Sequence, residues 1–341
     1  IEPDDADYRA ALKREIGVWE PKKPSTDEVV NESLTELNKD YVSYYSSIFN
    51  VDEAGSFSWI HKIKSEFGTF GKCLSLGSGS GVVESKFKEL GIVKSFDTLD
   101  VVGKSSEYDD ATHSITDLNF VSLPENKYDF ILCKSILHHI INIEHLVEQI
   151  NRSLKKSGVF VVFEFVGESK AQWSSSRKEA VNDNLRNNFS YFPKFLHFTE
   201  HPKTNTSPFE CIRSAEISDI LDAKFKENKI FEFKWGKFSF PIITHLNMLN
   251  RYKRKSFEKF SDMAERIIRF FIKLDDDAKY KKNIDHVCLF AAYSKSNMNI
   301  NWKLSKFTKK DKEYHFRINQ PLKIRLRSFL RKIYYKYLKA Q

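Results

Sequence analysis

The glycine-rich stretch "LSLGSGSGVVE", residues 74–84, constrains the fold more tightly than any other part of the chain. It places Gly77, Gly79 and Gly81 between a short apolar run and a helical pattern. Glycine adopts backbone conformations that other residues avoid and lets a ligand approach the main chain. The free N–H groups at the start of a helix attract polar or anionic groups. The stretch therefore predicts a strand, a tight loop and a helix that together hold a ligand.

Strand and helix patterns alternate around this loop. Apolar runs such as "KCLSLG", "YDFILCKSI" and "GVFVVFEFV" are typical of buried strands, and "NIEHLVEQINRSL" has the spacing of a helix. The pattern continues to a last strand, "HVCLFAAYS". It predicts an α/β fold: a Rossmann-like, seven-stranded, mostly parallel sheet with helices on both faces.

An acidic residue follows the second predicted strand. Asp100 lies 19 residues after Gly81, at an offset where a carboxylate accepts hydrogen bonds from both hydroxyls of a ribose. A dinucleotide loop needs a third glycine at the position of Val82, so hydride chemistry is disfavoured. A tight turn that binds nothing stays open as the alternative.

Charge and composition divide the chain into three parts. The net charge of +9 comes from the tail, where residues 298–341 hold 13 Lys and Arg against two acids, a balance of +11. We predict an N-terminal helical extension over 1–44, a main domain over 45–297 with a lid-like insertion at 171–211 after strand 5, and the basic tail. Four separated cysteines and no apolar run of spanning length favour a cytoplasmic protein.

The end of the tail has the pattern of an amphipathic helix, at about 320–340. Apolar and aromatic residues recur every three or four positions, and lysines and arginines fill the rest. Such a helix fits an anionic membrane surface, which predicts peripheral attachment to the inner membrane face. Docking to a partner protein, packing on the main domain and contact with nucleic acid are the alternatives.

Over roughly residues 45–295 the chain resembles the class I S-adenosylmethionine-dependent methyltransferases. The glycine loop, the acid after strand 2, the segment "ITDLNFVSLPENKYDF" and the run "YDFILCKSILHHI" carry the resemblance. It implies S-adenosylmethionine as the cofactor, and it implies that the cofactor-binding residues are Gly77, Ser78, Gly79, Gly81, Asp100, Asp117, Leu118 and Cys133. Asp117 is expected near the adenine amine and Leu118 beside its ring.

Two further features refine the resemblance. Many members carry an acid at the position of Ser75, where it contacts the methionine amino group. The change implies either a weaker affinity for the cofactor or compensation by another group, such as Glu84 or a loop carbonyl. "EFVGESKAQW" and "SPFECIRSAEI" resemble methyltransferases of bacterial glycan and surface-polysaccharide assembly. That likeness implies O-methylation of a saccharide, with a lipid-linked glycan as substrate.

The acceptor side of such a site lies beyond strands 4 and 5. A hydroxyl acceptor needs a group that takes its proton, and imidazole has a suitable pKa of about 6.5. We therefore predict His139 as the base, His138 as second choice and Glu164 as an orienting or substrate-binding group. Packing or capping roles for all three are the alternatives.

Three more side chains are substrate-binding candidates: Gln172, Trp173 and Arg213. Trp173 could also be a core residue, and Arg213 could form a structural salt bridge. The histidines show no metal-ligand spacing, so the sequence predicts no metal site. Other functions left open are methylation of another small molecule or lipid, an inactive cofactor fold that recruits partners, and RNA modification, although "CKSI" after strand 4 disfavours base N-methylation.

Overall fold

A computed structural model of the protein describes residues 2–20, 49, 57–103, 112–189, 207–252, 261–277 and 284–295. The basic tail with its predicted helix, most of the second half of the N-terminal extension, and residues 190–206 of the insertion lie outside the described residues. The predicted domain boundaries therefore stay predictions.

Seven strands form one sheet in the order β3-β2-β1-β4-β5-β7-β6, in which β7 alone is antiparallel to its two neighbours. The prediction of a seven-stranded, mostly parallel Rossmann-like sheet is confirmed. The strands are β1 Cys73–Leu76, β2 Phe96–Asp100, β3 Thr112–Ile115, β4 Tyr128–Lys134, β5 Leu154–Phe165, β6 Lys229–Trp235 and β7 Cys288–Ser294.

Eight helices accompany the sheet in the described part of the chain. They are α1 Ala6–Trp19, α2 Ser58–Phe67, α3 Val82–Glu89, α4 Ile143–Ser153, α5 Ser175–Asn188, α6 Ile217–Phe225, α7 Ser239–Tyr252 and α8 Ser261–Asp275. Among these residues no helix is both long enough and apolar enough to cross a membrane.

The alternation of side chains along the central strands builds two cores, one on each face of the sheet. Phe130 and Leu132 of β4 face the layer that holds α2, α3 and α8, while Ile131 and Cys133 face the layer that holds α4 and α6. Because both faces are covered, the central strands carry apolar residues on both faces, as a buried parallel sheet requires.

The register brings the functional end of the sheet together. Leu76 at the end of β1 pairs with Leu99 on β2 and with Cys133 on β4. The chain order reverses between β1 and β4, which creates the crevice where open α/β sheets bind ligands. The loops after β1, β2, β4 and β5 therefore share one edge.

Two local features differ from the sequence prediction. Strand β3 was not predicted, because its four residues are mostly exposed and carry no apolar pattern. The run "IFEFKWGKFSF" has the apolar pattern of a single strand, but β6 ends at Trp235 and helix α7 begins at Ser239. Gly236 makes the break, since its φ of 81° is a left-handed conformation that glycine adopts readily.

A buried carboxylate joins α8 to the start of α7. Asp275 accepts hydrogen bonds from Phe238 N at 2.6 Å, from Ser239 N at 3.1 Å and from the Ser239 hydroxyl. Burial raises the pKa of Asp275 from 3.8 to about 6, even though these three donors lower it. The folded protein therefore holds a proton on Asp275 more tightly than the unfolded chain does.

This pKa predicts a pH-dependent contribution to stability. Because the folded pKa is raised, the contribution is complete below about pH 3.8 and is lost as the pH rises through about 6. An amide cannot ionise, so Asp275→Asn should gain up to about 3 kcal/mol relative to the wild type between pH 4 and pH 7. Urea unfolding at both pH values measures the difference.

The exposed Asp219→Asn on α6 is the matched control for the loss of one carboxylate. A stability difference between Asp275→Asn and the wild type that is the same at pH 4 and at pH 7 would contradict the assignment.

Candidate active site

The glycine loop has the geometry predicted from its sequence. Gly77, Gly79 and Gly81 have φ values of 71°, 52° and 78°, all left-handed. A Cβ at Gly77 would lie 2.5 Å from Ile136 Cγ1, whereas a Cβ at Gly79 would meet nothing within 4 Å. Gly77 thus lets the turn after β4 pack against the loop, and Gly79 leaves the approach to the loop open.

Asp100 turns toward this loop. Its carboxylate accepts a hydrogen bond from Gly79 N at 2.8 Å and one from Val102 N at 3.2 Å. The side chain is largely buried at the carboxyl end of β2. Asp100 therefore stands beside the glycine loop, as its predicted role with a ribose requires.

Glu84 brings a carboxylate to the position where Ser75 has replaced the expected acid. The Ser75 hydroxyl donates to Glu84 Oε1 at 2.5 Å, and both side chains are buried. Within the described residues Glu84 Oε2 is buried without a hydrogen-bond partner. Burial raises the pKa of Glu84, although Ser75 and Lys134 oppose the shift. A bound ammonium group would satisfy this oxygen and stabilise the ionised form.

Asp117 is engaged by a residue of the N-terminal helix. Tyr8 Oη donates to Asp117 Oδ2 at 2.6 Å, and Asn119 Nδ2 donates to Tyr8 Oη at 3.0 Å. Leu118 is buried in the α4-side core, so only its edge is available to a ligand. The Cys133 side chain lies wholly inside the same core, which leaves its backbone as the part that a cofactor could contact.

Glu164 organises the turn that carries the two histidines. Its carboxylate is buried and accepts hydrogen bonds from Ile136 N at 2.8 Å, from Leu137 N at 2.7 Å and from His138 Nδ1. Burial alone would raise the pKa of Glu164, but His138 and the backbone donors lower it overall. Glu164 therefore fixes the ring of His138, as a group that orients a base would do.

The second histidine pairs with helix α1. His139 Nδ1 lies 3.1 Å from Glu15 Oε1, although the angle falls outside that of a good hydrogen bond. Glu15 is buried and also accepts from Ser207 Oγ at 2.5 Å and from Trp19 Nε1 at 2.7 Å. The Trp19 ring stands edge-on to His139 with the centroids 5.3 Å apart. Helix α1 therefore closes one side of the histidine pair.

The remaining nitrogens of both rings converge on one further acid. His138 Nε2 lies 3.8 Å from Glu210 Oε1, and His139 Nε2 lies 3.8 Å from Glu210 Oε2. The two ring centroids are 4.2 Å apart. Ile212 N donates to the carbonyl of His138 at 3.1 Å and so holds the segment around Glu210 against the histidine turn. The two imidazole rings therefore face the same carboxylate, even though they belong to adjacent residues.

The predicted substrate-binding residues lie in less open positions. Trp173 is buried against Phe165 and Arg177, so its ring face does not reach the surface. Gln172 is exposed and donates to Ser169 O at 2.9 Å. The geometry matches the alternatives named above, a core residue for Trp173 and a structural salt bridge for Arg213.

Neighbouring groups accept hydrogen bonds from the Arg213 guanidinium. It pairs with Glu144 and Glu216, both at 2.6 Å, and donates to the carbonyl of Ile141 at 2.6 Å. These contacts raise its pKa and leave little capacity for a phosphate or carboxylate of a substrate. Arg213 instead fastens the start of α6 to α4.

Three site residues escaped the sequence prediction: Tyr8, Glu15 and Glu210. Tyr8 and Glu15 lie in a polar segment with a weak apolar pattern, far along the chain from the residues they contact. Glu210 lies within "SPFECIRSAEI", the segment that resembles glycan methyltransferases. Nothing in that resemblance indicates that Glu210 faces the histidines. These three side chains reach the site only through the tertiary fold.

Comparison with known proteins identifies the domain. Residues 52–201 match the model of a methyltransferase domain family, a span that contains β1 to β5. A search of curated proteins returns no match. The match supports a methyltransferase domain, and the seven-stranded, mostly parallel sheet is of the Rossmann-like α/β type.

Solved structures with a similar fold act on different compounds. Phosphoethanolamine N-methyltransferase 2 of Haemonchus contortus is 18% identical to this chain, with a TM-score of 0.40. The alignment covers 81% of this chain and 62% of that enzyme, so this chain spans less than two thirds of the enzyme's length. The 1,6-didemethyltoxoflavin-N1-methyltransferase of Burkholderia thailandensis is 13% identical with a TM-score of 0.39, and the alignment covers 81% and 94% of the two chains. An S-adenosylmethionine-dependent methyltransferase of Mesorhizobium loti is 13% identical with a TM-score of 0.37, covering 71% and 99%.

The residues of this chain fit S-adenosylmethionine, the cofactor of this domain. Gly79 leaves room at the loop, Asp100 lies beside it, and Glu84 Oε2 is a buried acceptor without a partner among the described residues. When bound, the cofactor supplies a methyl group on a positively charged sulfur. Helix α1 contacts Asp117 on the expected adenine side, so a cofactor bound as the resemblance implies would meet the helix at that carboxylate.

The unsatisfied oxygen of Glu84 predicts a large effect of Glu84→Gln on cofactor binding. A charge-assisted hydrogen bond contributes about 1.5–3 kcal/mol, so its loss should lower the affinity for S-adenosylmethionine by roughly 10- to 100-fold. Calorimetric titration with the cofactor measures the change. Glu89→Gln on the same helix is the matched control, because Glu89 is exposed and pairs with Lys86. Equal affinities for the two variants would exclude Glu84 as a cofactor contact.

Proposed function

We propose that the protein is an S-adenosylmethionine-dependent O-methyltransferase that acts on a hydroxyl of a saccharide in a bacterial surface or lipid-linked glycan. The observation that carries the proposal is the histidine turn. His138 and His139 lie beside the glycine loop through the contact of Ile136 with Gly77, and buried carboxylates back both rings. An arrangement of this kind suits an acceptor that must be activated before it attacks.

Methyl transfer to a hydroxyl sets two requirements. The acceptor oxygen must be aligned with the methyl group in the direction of the departing sulfur. The hydroxyl proton must also leave the oxygen as the new C–O bond forms. His138, His139 and Glu164 are the groups proposed to activate the hydroxyl, with Glu164 fixing the ring of His138.

The acceptor side is built from the segment that resembles glycan methyltransferases. Residues 207–217 approach the histidine turn and hold Glu210 opposite both rings. Ser207 is bonded to Glu15 of α1, so the acceptor side and the N-terminal helix form one wall. The sequence likeness of this segment and of "EFVGESKAQW" supports a saccharide as the acceptor class.

We further propose that the basic tail places the enzyme at the inner membrane face. The amphipathic pattern at about 320–340 carries many cations and no acid, which suits an anionic lipid surface or, as the alternative, a partner protein. A glycan carried by a lipid would be presented at the same surface.

The proposed function predicts transfer of a labelled methyl group from S-adenosylmethionine to saccharide hydroxyls. Lipid-linked and surface glycans should accept the label, and mass spectrometry should locate it on oxygen. His138→Gln and His139→Gln should each lower turnover by at least about 100-fold with cofactor affinity unchanged, because activation of the hydroxyl is lost.

His145→Gln is the matched control, since His145 is exposed on α4 and forms a hydrogen bond with the carbonyl of Val121. Label on an amine such as phosphoethanolamine, with none on saccharides, would replace the proposed acceptor. Cofactor binding with no transfer to any acceptor would favour the inactive binding module instead.

A further inference from the structure

The two histidines present a second feature that base catalysis does not require. One ring nitrogen of His138, one of His139 and a carboxylate oxygen of Glu210 all lie within 4.8 Å of one another. Both rings point Nε2 at the same carboxylate, each at 3.8 Å. Three donors of this type, converging from two sides of a cleft, form the ligand set of a metal ion with open coordination positions.

Each histidine also has the carboxylate support that metal ligands use. His138 Nδ1 is bonded to Glu164, and His139 Nδ1 lies 3.1 Å from Glu15. Metal-binding histidines almost always give their second nitrogen to a carboxylate, a carbonyl or water, which fixes the ring and strengthens the ligand. The His138 ring has such a partner in Glu164, and the Glu15 carboxylate lies within reach of the His139 ring, from a different part of the chain.

The charges of the cluster favour a cation at its centre. Glu15 and Glu164 are buried, and Glu210 is partly buried, so three carboxylates surround two imidazoles. Bringing carboxylates together away from water costs free energy unless positive charge lies among them. An ion between the Nε2 atoms and Glu210 would provide that charge at the point where the three donors converge.

We propose that His138, His139 and Glu210 bind a divalent first-row transition-metal ion such as Zn²⁺, Mn²⁺ or Fe²⁺. Two imidazoles and one carboxylate suit these ions, whereas Mg²⁺ and Ca²⁺ prefer oxygen ligands. Metal–ligand bonds of about 2.0–2.2 Å in a tetrahedral site would place the donors roughly 3.3–3.6 Å apart. The donor atoms of the cluster lie within 4.8 Å of one another, so the cluster needs to contract by up to about 1.5 Å to reach that spacing.

The inference goes beyond the proposed function, because ion binding can be measured without cofactor or acceptor. In the proposed reaction the open positions of the ion would hold the acceptor oxygen and weaken its O–H bond. The histidines would then activate the hydroxyl through the ion, and the proton would pass to solvent or to a water on the ion. The spacing of the histidines in sequence gave no sign of this set, because Glu210 reaches it from a distant segment.

The test uses the full chain without a histidine tag, dialysed against a chelator and then titrated with Zn²⁺ alone. Calorimetry and elemental analysis should find about one ion per chain. Co²⁺ should give the visible absorption of a bound ion, and Zn²⁺ should displace it. Mg²⁺ at the same concentration should not bind.

Variants separate this site from binding elsewhere on the surface. His139→Gln and Glu210→Gln should lower the affinity for Zn²⁺ by at least about 100-fold, and Glu15→Gln by roughly 10- to 100-fold. His145→Gln and His113→Gln, at histidines outside the cluster, should bind like the wild type. Circular dichroism confirms that each variant is folded.

Two results would overturn the inference: no bound Zn²⁺ in the wild type, or the same affinity in the Glu210→Gln, His139→Gln and His145→Gln variants. Methyl transfer that persists in metal-free protein would overturn the catalytic part of it. Failure to find a saccharide acceptor would leave the ion-binding result intact, so the two proposals fail separately.

Discussion

The active site depends on one buried carboxylate at the end of β5. Glu164 accepts two backbone N–H groups of the turn after β4 and holds the ring of His138, and it also accepts from its own neighbour Phe165 N at 2.7 Å. A carboxylate with four donors is satisfied in a place where burial would otherwise disfavour its charge. Removing it would free the turn that packs on Gly77, so the acceptor side and the cofactor loop are coupled through this side chain.

Helix α1 extends the site beyond the sheet domain. Tyr8 contacts the adenine side at Asp117, and Glu15 contacts the acceptor side at His139 and Ser207. The Tyr8 ring also stacks on Phe209 with the centroids 5.7 Å apart. Helix α1 has a modest apolar content and is held by polar contacts and ring packing at both ends. A shift of the helix would therefore change both halves of the pocket.

Local patterns predicted the parts of the site that neighbouring residues determine. The glycine loop and Asp100 could be found from spacing, because a tight turn and the end of the adjacent strand are properties of short segments. The mostly parallel sheet with helices on both faces followed from alternating strand and helix patterns. Glu84 was one of the groups expected to compensate for the missing acid at Ser75.

The rest required the tertiary fold. Arg213 has the composition of an anion-binding residue, and only its contacts with Glu144 and Glu216 show that its donors are occupied. Trp173 has the composition of a sugar-stacking residue, and only its burial shows that it packs in the core. Glu15 and Glu210 are ordinary surface acids by sequence, and they acquire meaning from the two imidazole rings between them.

The hydrogen bond from Tyr8 to Asp117 occupies the carboxylate that the resemblance assigns to the adenine amine. If the proposed cofactor binds there, its amine would compete with the tyrosyl hydroxyl for that carboxylate. Because Glu15 lies on the same helix beside His139, a shift of α1 caused by this competition would also change the surroundings of His139.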